Sequence, residues 1–129
     1  MKNIINSSDR QEIISRIHQL TPDHKGQWGK MDVAQMLTHC QRPMELALTN
    51  PKPPRKLLGY ILGPMAKNSV FGPKPYERNG YTPPEFKIAD PQVFGENKEK
   101  LLKLIDRFPQ EMPNAGLNHP FFGPLPLDV

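Results

Sequence analysis

The chain carries a single cysteine, Cys40, so no intramolecular disulfide can form. One isolated thiol fits a reducing cytoplasm better than a secreted domain stapled by disulfides. Long apolar runs are absent as well. No stretch approaches the ~18 consecutive apolar residues of a membrane span. The opening Met1-Lys-Asn-Ile-Ile-Asn6 turns polar too soon to act as a signal peptide. These absences point to a soluble cytoplasmic protein with no membrane partner. Paired metal or redox motifs are missing: there is no Cys-x-x-Cys and no His-Glu-x-x-His. A phosphate-cradling loop is missing too, because Gly59 and Gly63 are not followed by the Lys-Ser/Thr of a P-loop. No strand pattern and no internal repeat is visible.

Proline, by contrast, is abundant. Of 16 prolines, all but Pro22 and Pro43 lie from Pro51 onward. A length of 129 residues predicts one domain, 1–129, whose second half carries long irregular connections. The net charge is +4, and it is unevenly spread. Residues 52 to 87 hold seven basic side chains against Glu77 and Glu85. The rest of the chain is close to neutral. A basic, Pro-rich stretch with a long loop at 68–89 suits a small anionic ligand or an acidic partner, or simply a solvated loop. Tyr60, Phe71, Tyr76, Tyr81 and Phe86 are interleaved with these charges, as in single-strand binders. No RNA-binding signature accompanies them, so nucleic acid is not an expected partner.

Apolar periodicity predicts helices. Ser8 with Gln11 has the capping-box pattern of a helix start, and Ile13, Ile14, Ile17 and Leu20 then form one stripe. Thr21-Pro22-Asp23 ends that helix. Asp32 with Gln35 repeats the capping logic for a second helix. Its buried face is read as Val33, Met36, Leu37, Cys40, Met44, Ala47 and Leu48, and Pro43 sits inside it beside the carbonyl of His39. A shorter helical segment is read between Arg55 and Lys67, interrupted by Gly59, Gly63 and Pro64. A third helix is read with Asp90 as N-cap and Pro91 in its first turn. Phe94, Asn97, Leu101, Leu104, Ile105 and Phe108 line its inner face, while Lys98, Lys100, Lys103 and Arg107 stay wet. A proline-rich tail follows Pro109. The fold class is therefore all-α.

Four histidines could carry chemistry. His39 lies off the apolar stripe of the second helix, at the rim of its buried face, where neutral imidazole ligates metals or acts as a base. Alternatively it is a hydrogen-bonded histidine that supports the Pro43 bend. His18 sits in the last turn of the first helix and suits the helix dipole there. His24 reads as an exposed loop residue. His119 belongs to Asn118-His-Pro-Phe-Phe-Gly123, where two aromatics can plug a core and His119 can reach a cleft. Cys40 adjoins His39, but helix neighbours point ~100° apart. Cys40 also lies on the apolar stripe, where a thiol is an inert small hydrophobe rather than a nucleophile.

Three blocks carry a family resemblance. They are Trp28-Gly-Lys-Met-Asp-Val-Ala-Gln-Met-Leu-Thr-His-Cys-Gln41, Leu58-Gly-Tyr-Ile-Leu-Gly-Pro-Met-Ala-Lys67 and Asn118-His-Pro-Phe-Phe-Gly123. With Lys74-Pro75, Arg78-Asn79 and Thr82-Pro-Pro-Glu-Phe86 they resemble a bacterial branch of the DinB-like superfamily over residues 8 to 125. The resemblance implies an up-and-down helical bundle with three main helices, one short helix and long Pro-rich loops. It also implies a divalent metal, nickel or zinc, held by three histidines, with His39 as one. The other two ligands of such proteins sit on a last helix beyond the His-Pro-Phe-Phe-Gly block, and only Pro124-Leu-Pro-Leu-Asp-Val129 follows here. A C-terminally truncated bundle, with its final helix missing and its metal site incomplete, is the expectation.

Three functions remain open at this point. The first is a DinB-like protein with an incomplete site and no catalysis of its own. The second is a metal-dependent thiol transferase or hydrolase-like enzyme, in which His39 and His119 join a ligand from elsewhere and a small thiol is the substrate. The third is a non-catalytic module that binds a partner protein or an anionic ligand. An open bundle face also suits a homodimer.

Overall fold

A computed structural model describes residues 2–49, 78–80, 82–112, 117–119 and 123–125. The helical segment read at 55–67, half of the loop read at 68–89 (residues 68–77 and 81), and the Phe121-Phe122 pair lie outside the described residues. What is described is mainly helical: α1 (Ser7–His18), α2 (Val33–Leu48) and α3 (Phe94–Glu111), with a single 3-10 turn at Pro84–Phe86. Two short strands, β1 (Leu117–His119) and β2 (Gly123–Leu125), pair antiparallel with His119 opposite Gly123. They correct the expectation of no strand. Three residues per strand are too few for an alternating pattern to show in sequence, and such an edge tolerates Pro124.

Each helix start has a local cause. For α1 the cap is Asn6, two residues before the predicted Ser8. Asn6 Oδ1 accepts from the Ser8 N–H at 2.9 Å and the Asp9 N–H at 3.4 Å. Asn is as strong an N-cap as Ser, so the earlier residue captures the orphan donors. α2 begins as predicted. Asp32 Oδ1 accepts from the Gln35 N–H at 2.8 Å, and Gln35 Oε1 accepts from the Asp32 N–H at 3.0 Å. Both bonds of the capping box are made. α3 starts at Phe94 with Val93 as N-cap, not at Asp90. A helix capped by Asp90 needs that carbonyl for the Phe94 N–H. Instead it accepts from the side chains of Gln35 at 3.3 Å and Gln92 at 3.2 Å. The far end of α3 also differs from expectation. Pro109 lies inside the helix, which runs to Glu111 and closes on Met112, whose side chain is fully buried.

The core sits where the three helices meet. Ile17 of α1, Leu37 of α2, and Leu101 and Ile105 of α3 form its centre. Ile13, Ile14, Leu20, Met36, Cys40, Met44 and Phe94 pack around them, half-buried. The predicted stripes of α1 and α3 are thus the buried ones. On α2 the fully buried face is rotated from the predicted one, toward Ala34, Thr38 and Gln41. Gln41 and Asn97 explain the rotation. Gln41 Nε2 donates to the Asn97 carbonyl at 3.0 Å and to Asn97 Oδ1 at 3.2 Å, and Asn97 Nδ2 donates to the Val93 carbonyl at 2.9 Å. A buried amide pair that is satisfied in this way can sit in an interior face that would otherwise be apolar.

α1 is held to α3 by Lys98. Its Nζ donates to the carbonyls of His18 at 2.8 Å and Leu20 at 2.9 Å, at and just past the end of α1. Its ammonium also lies 5.5 Å from the Phe94 ring centroid. Lys98 is therefore a structural cation at a helix C-terminus rather than a freely solvated lysine. Leading into α3, residues 78–80 and 82–92 form a strap along α2 and its leader, with the 3-10 turn packed against α2.

Candidate functional site around His39

His39 lies two turns into α2, half-buried, on the side covered by the strap. Its Nδ1 is 2.8 Å from the carbonyl oxygen of Phe86. A carbonyl only accepts, so the hydrogen is on Nδ1. The neutral ring then keeps its lone pair on Nε2, and no described residue hydrogen-bonds that atom. This geometry joins two of the blocks singled out in the sequence, the Trp28–Gln41 block and Thr82–Phe86. Sequence alone could not have found it, because the partner is a main-chain oxygen that any residue at position 86 would offer.

The strap is fastened on both sides of that bond. Upstream, Arg78 stacks its guanidinium 4.9 Å from the Trp28 ring centroid, and Asn79 Oδ1 accepts from the Gly29 N–H at 3.1 Å. Asn79 holds a left-handed φ of 58°, and Gly29 one of 85°. Downstream, Gln35 Nε2 donates to the Ala89 carbonyl at 3.1 Å, and Thr38 Oγ1 lies 3.2 Å from Gln92 Oε1. Polar residues of α2 that would be read as solvent-facing are thus the fastenings.

The neighbours of His39 do not make it a nucleophile's base. Cys40 Sγ lies 3.8 Å from Met36 Sδ, and burial pushes the thiol above its ordinary value of 9.0. A thiol held protonated is a poor nucleophile and a poor ligand. His18 is exposed at the end of α1, and Lys98, not His18, meets the carbonyls there. His24 is exposed as expected, and its Nδ1 accepts from the Thr21 N–H at 2.9 Å to close a turn. His119 is the end residue of β1, and β1 approaches α2. The two histidines read as metal ligands therefore sit on neighbouring elements. Among the described residues, no group of three His, Cys, Asp or Glu side chains is placed to hold a metal ion.

One open cleft of about 380 Å³ lies between α2 and α3, lined by Gln41, Glu45, Thr49, Lys100, Lys103 and Arg107 among others. Its charges are largely spoken for. Lys103 pairs with Glu99 at 2.6 Å, and Arg107 with Glu111 at 2.6 Å. The hydrogen bonds from Lys103 and Arg107 hold both carboxyls below the ordinary glutamate value. No helix among the described residues is long and apolar enough to cross a membrane.

No family model, no curated protein and no solved structure matches the chain.

Proposed function

We propose that the chain is a helical relative of the DinB-like bundles in which His39 is the imidazole of a divalent-metal site that the described residues leave incomplete. The observation that supports this is the Nδ1–H bond to the Phe86 carbonyl at 2.8 Å. Metal-binding histidines are commonly oriented in this way, with one nitrogen donating to a main-chain oxygen and the other presenting its lone pair. The donor set does not fit a complete site. A zinc site needs three or four protein ligands, and no such cluster exists among the described residues. His119, on the strand beside α2, is the second nitrogen this function calls upon. No catalytic step is assigned to such a site. Its function is weak metal binding.

Titration of Ni2+ or Zn2+ into the metal-stripped protein, followed by calorimetry, tests it. Saturable binding is expected, abolished in His39→Ala and weakened in His119→Ala. Binding that survives His39→Ala unchanged, or no binding by the wild type, defeats the proposal.

A further inference from the structure

We infer that Arg78 and Asn79 are positioning residues for His39: clasped onto Trp28 and Gly29, they hold the strap so that the Phe86 carbonyl fixes the Nδ1–H tautomer and leaves Nε2 as the acceptor.

Trp28 and Gly29 lie three to four residues before Asp32, the N-cap of α2, in the bend that leads into the helix carrying His39. The clasp has two parts of different chemistry. One is the stacked guanidinium at 4.9 Å, the other the Gly29 N–H to Asn79 Oδ1 bond at 3.1 Å. Asn79 adopts its left-handed φ of 58° to make that bond. Asn is among the few residues that enter this region readily, and a residue stays there only when its surroundings insist on it. Seven residues further on, the Phe86 carbonyl meets His39 at 2.8 Å. Beyond it, Gln35 ties the Ala89 and Asp90 carbonyls to α2. The carbonyl that sets the imidazole thus hangs between two fastenings.

Release of the upstream fastening leaves Phe86 tethered from one side only. Nothing else among the described residues discriminates between the two ring nitrogens of His39, so the tautomer becomes mixed once that carbonyl is displaced. Trp28 is 53 % exposed, so the clasp is built at the surface and is open to disturbance. Trp28 is also the sole tryptophan, which makes its emission a direct reporter of the clasp.

This positioning role deepens the metal-site proposal for His39, yet it is measured without metal. The experiment compares metal-free full-length wild type with Asn79→Gly, Asn79→Asp, Arg78→Ala and Arg78→Lys. Two readouts are taken at pH 9, above the ordinary imidazole pKa of about 6.5: Trp28 emission and the imidazole 15N spectrum of His39. Glycine accepts the backbone conformation of residue 79 while removing its side-chain acceptor, so Asn79→Gly tests the clasp without backbone strain. Wild-type His39 is expected to be a single Nδ1–H tautomer. Asn79→Gly and Arg78→Ala shift the Trp28 emission and turn His39 into a tautomer mixture. Asn79→Asp and Arg78→Lys, which keep an acceptor and a cation, restore both signals.

A mixed tautomer in the wild type overturns the inference. So does a shifted Trp28 emission with His39 unchanged in both deletion variants, or an emission that neither deletion moves. A wild type with a single clasp-dependent tautomer that binds no Ni2+ or Zn2+ defeats the metal-site proposal and leaves the positioning role standing.

Discussion

At the scale of single residues, burial decides what each polar group can do. Gln41 and Asn97 are 4 % and 7 % exposed, and they satisfy one another across the α2–α3 contact. Leaving either without its partner costs about 1–3 kcal/mol, against a net gain of only ~1 kcal/mol for the bond itself. The pair therefore specifies the register of the two helices more than it stabilises them. Cys40 shows burial acting on a proton. Its thiol pKa is raised above 9.0 by desolvation, so over that range the native state holds the proton more tightly than the unfolded chain. The stability that depends on this is fully present below about pH 9 and is lost as pH rises through the native pKa. The urea midpoint is therefore expected to fall more steeply above pH 9 in wild type than in Cys40→Ala. Parallel pH profiles for the two proteins would show that the thiol is not desolvated.

For whole elements, docking contacts matter more than intrinsic propensity. α1 has 12 residues, too short to be stable alone, and a single buried residue, Ile17. Lys98 supplies a second attachment by meeting two carbonyls, one on the last residue of α1 and one two residues past it. Lys98→Met keeps the apolar stem and removes the cation. That change is expected to cost about 1 kcal/mol in chemical unfolding, from a lost charge at a helix terminus and two unmet acceptors. An unchanged midpoint would mean that Lys98 is only resting on the surface. The elements themselves were unevenly legible in the sequence. The inner face of α3 could be read residue by residue, because Asn97, Leu101, Leu104, Ile105 and Phe108 keep helical spacing through its interior. The capping box of α2 was equally plain, since both partners lie three residues apart. The start of α3 was not, because it depends on Gln35, more than 50 residues away, occupying the Asp90 carbonyl. His39 was legible as a rim residue of α2, but its fastening to Phe86 was not. Periodicity ranks side chains by polarity and carries no information about which carbonyl will face them.

Across the molecule, the long-range hydrogen bonds among the described residues share one property. Gly29 to Asn79, Gln35 to Ala89, Thr38 to Gln92, His39 to Phe86, Gln41 to Asn97, and Lys98 to His18 all join residues before 50 to residues after 77. The core follows the same division, with Ile17 and Leu37 on one side and Leu101 and Ile105 on the other. In covalent terms, the described structure is two lengths of chain stitched face to face. Because residues 50 to 77 join the two lengths covalently, their meeting is intramolecular, and a covalent join raises the effective concentration of one for the other without any new contact. Cutting a protease site placed in that interval is expected to leave both pieces co-eluting at high protein concentration. On dilution they would part, and the unfolding midpoint of the nicked protein would become concentration-dependent. Pieces that separate at once would show that the stitches are weaker than the tether. If they stay together, this small domain is, thermodynamically, a heterodimer whose subunits happen to be joined by a peptide.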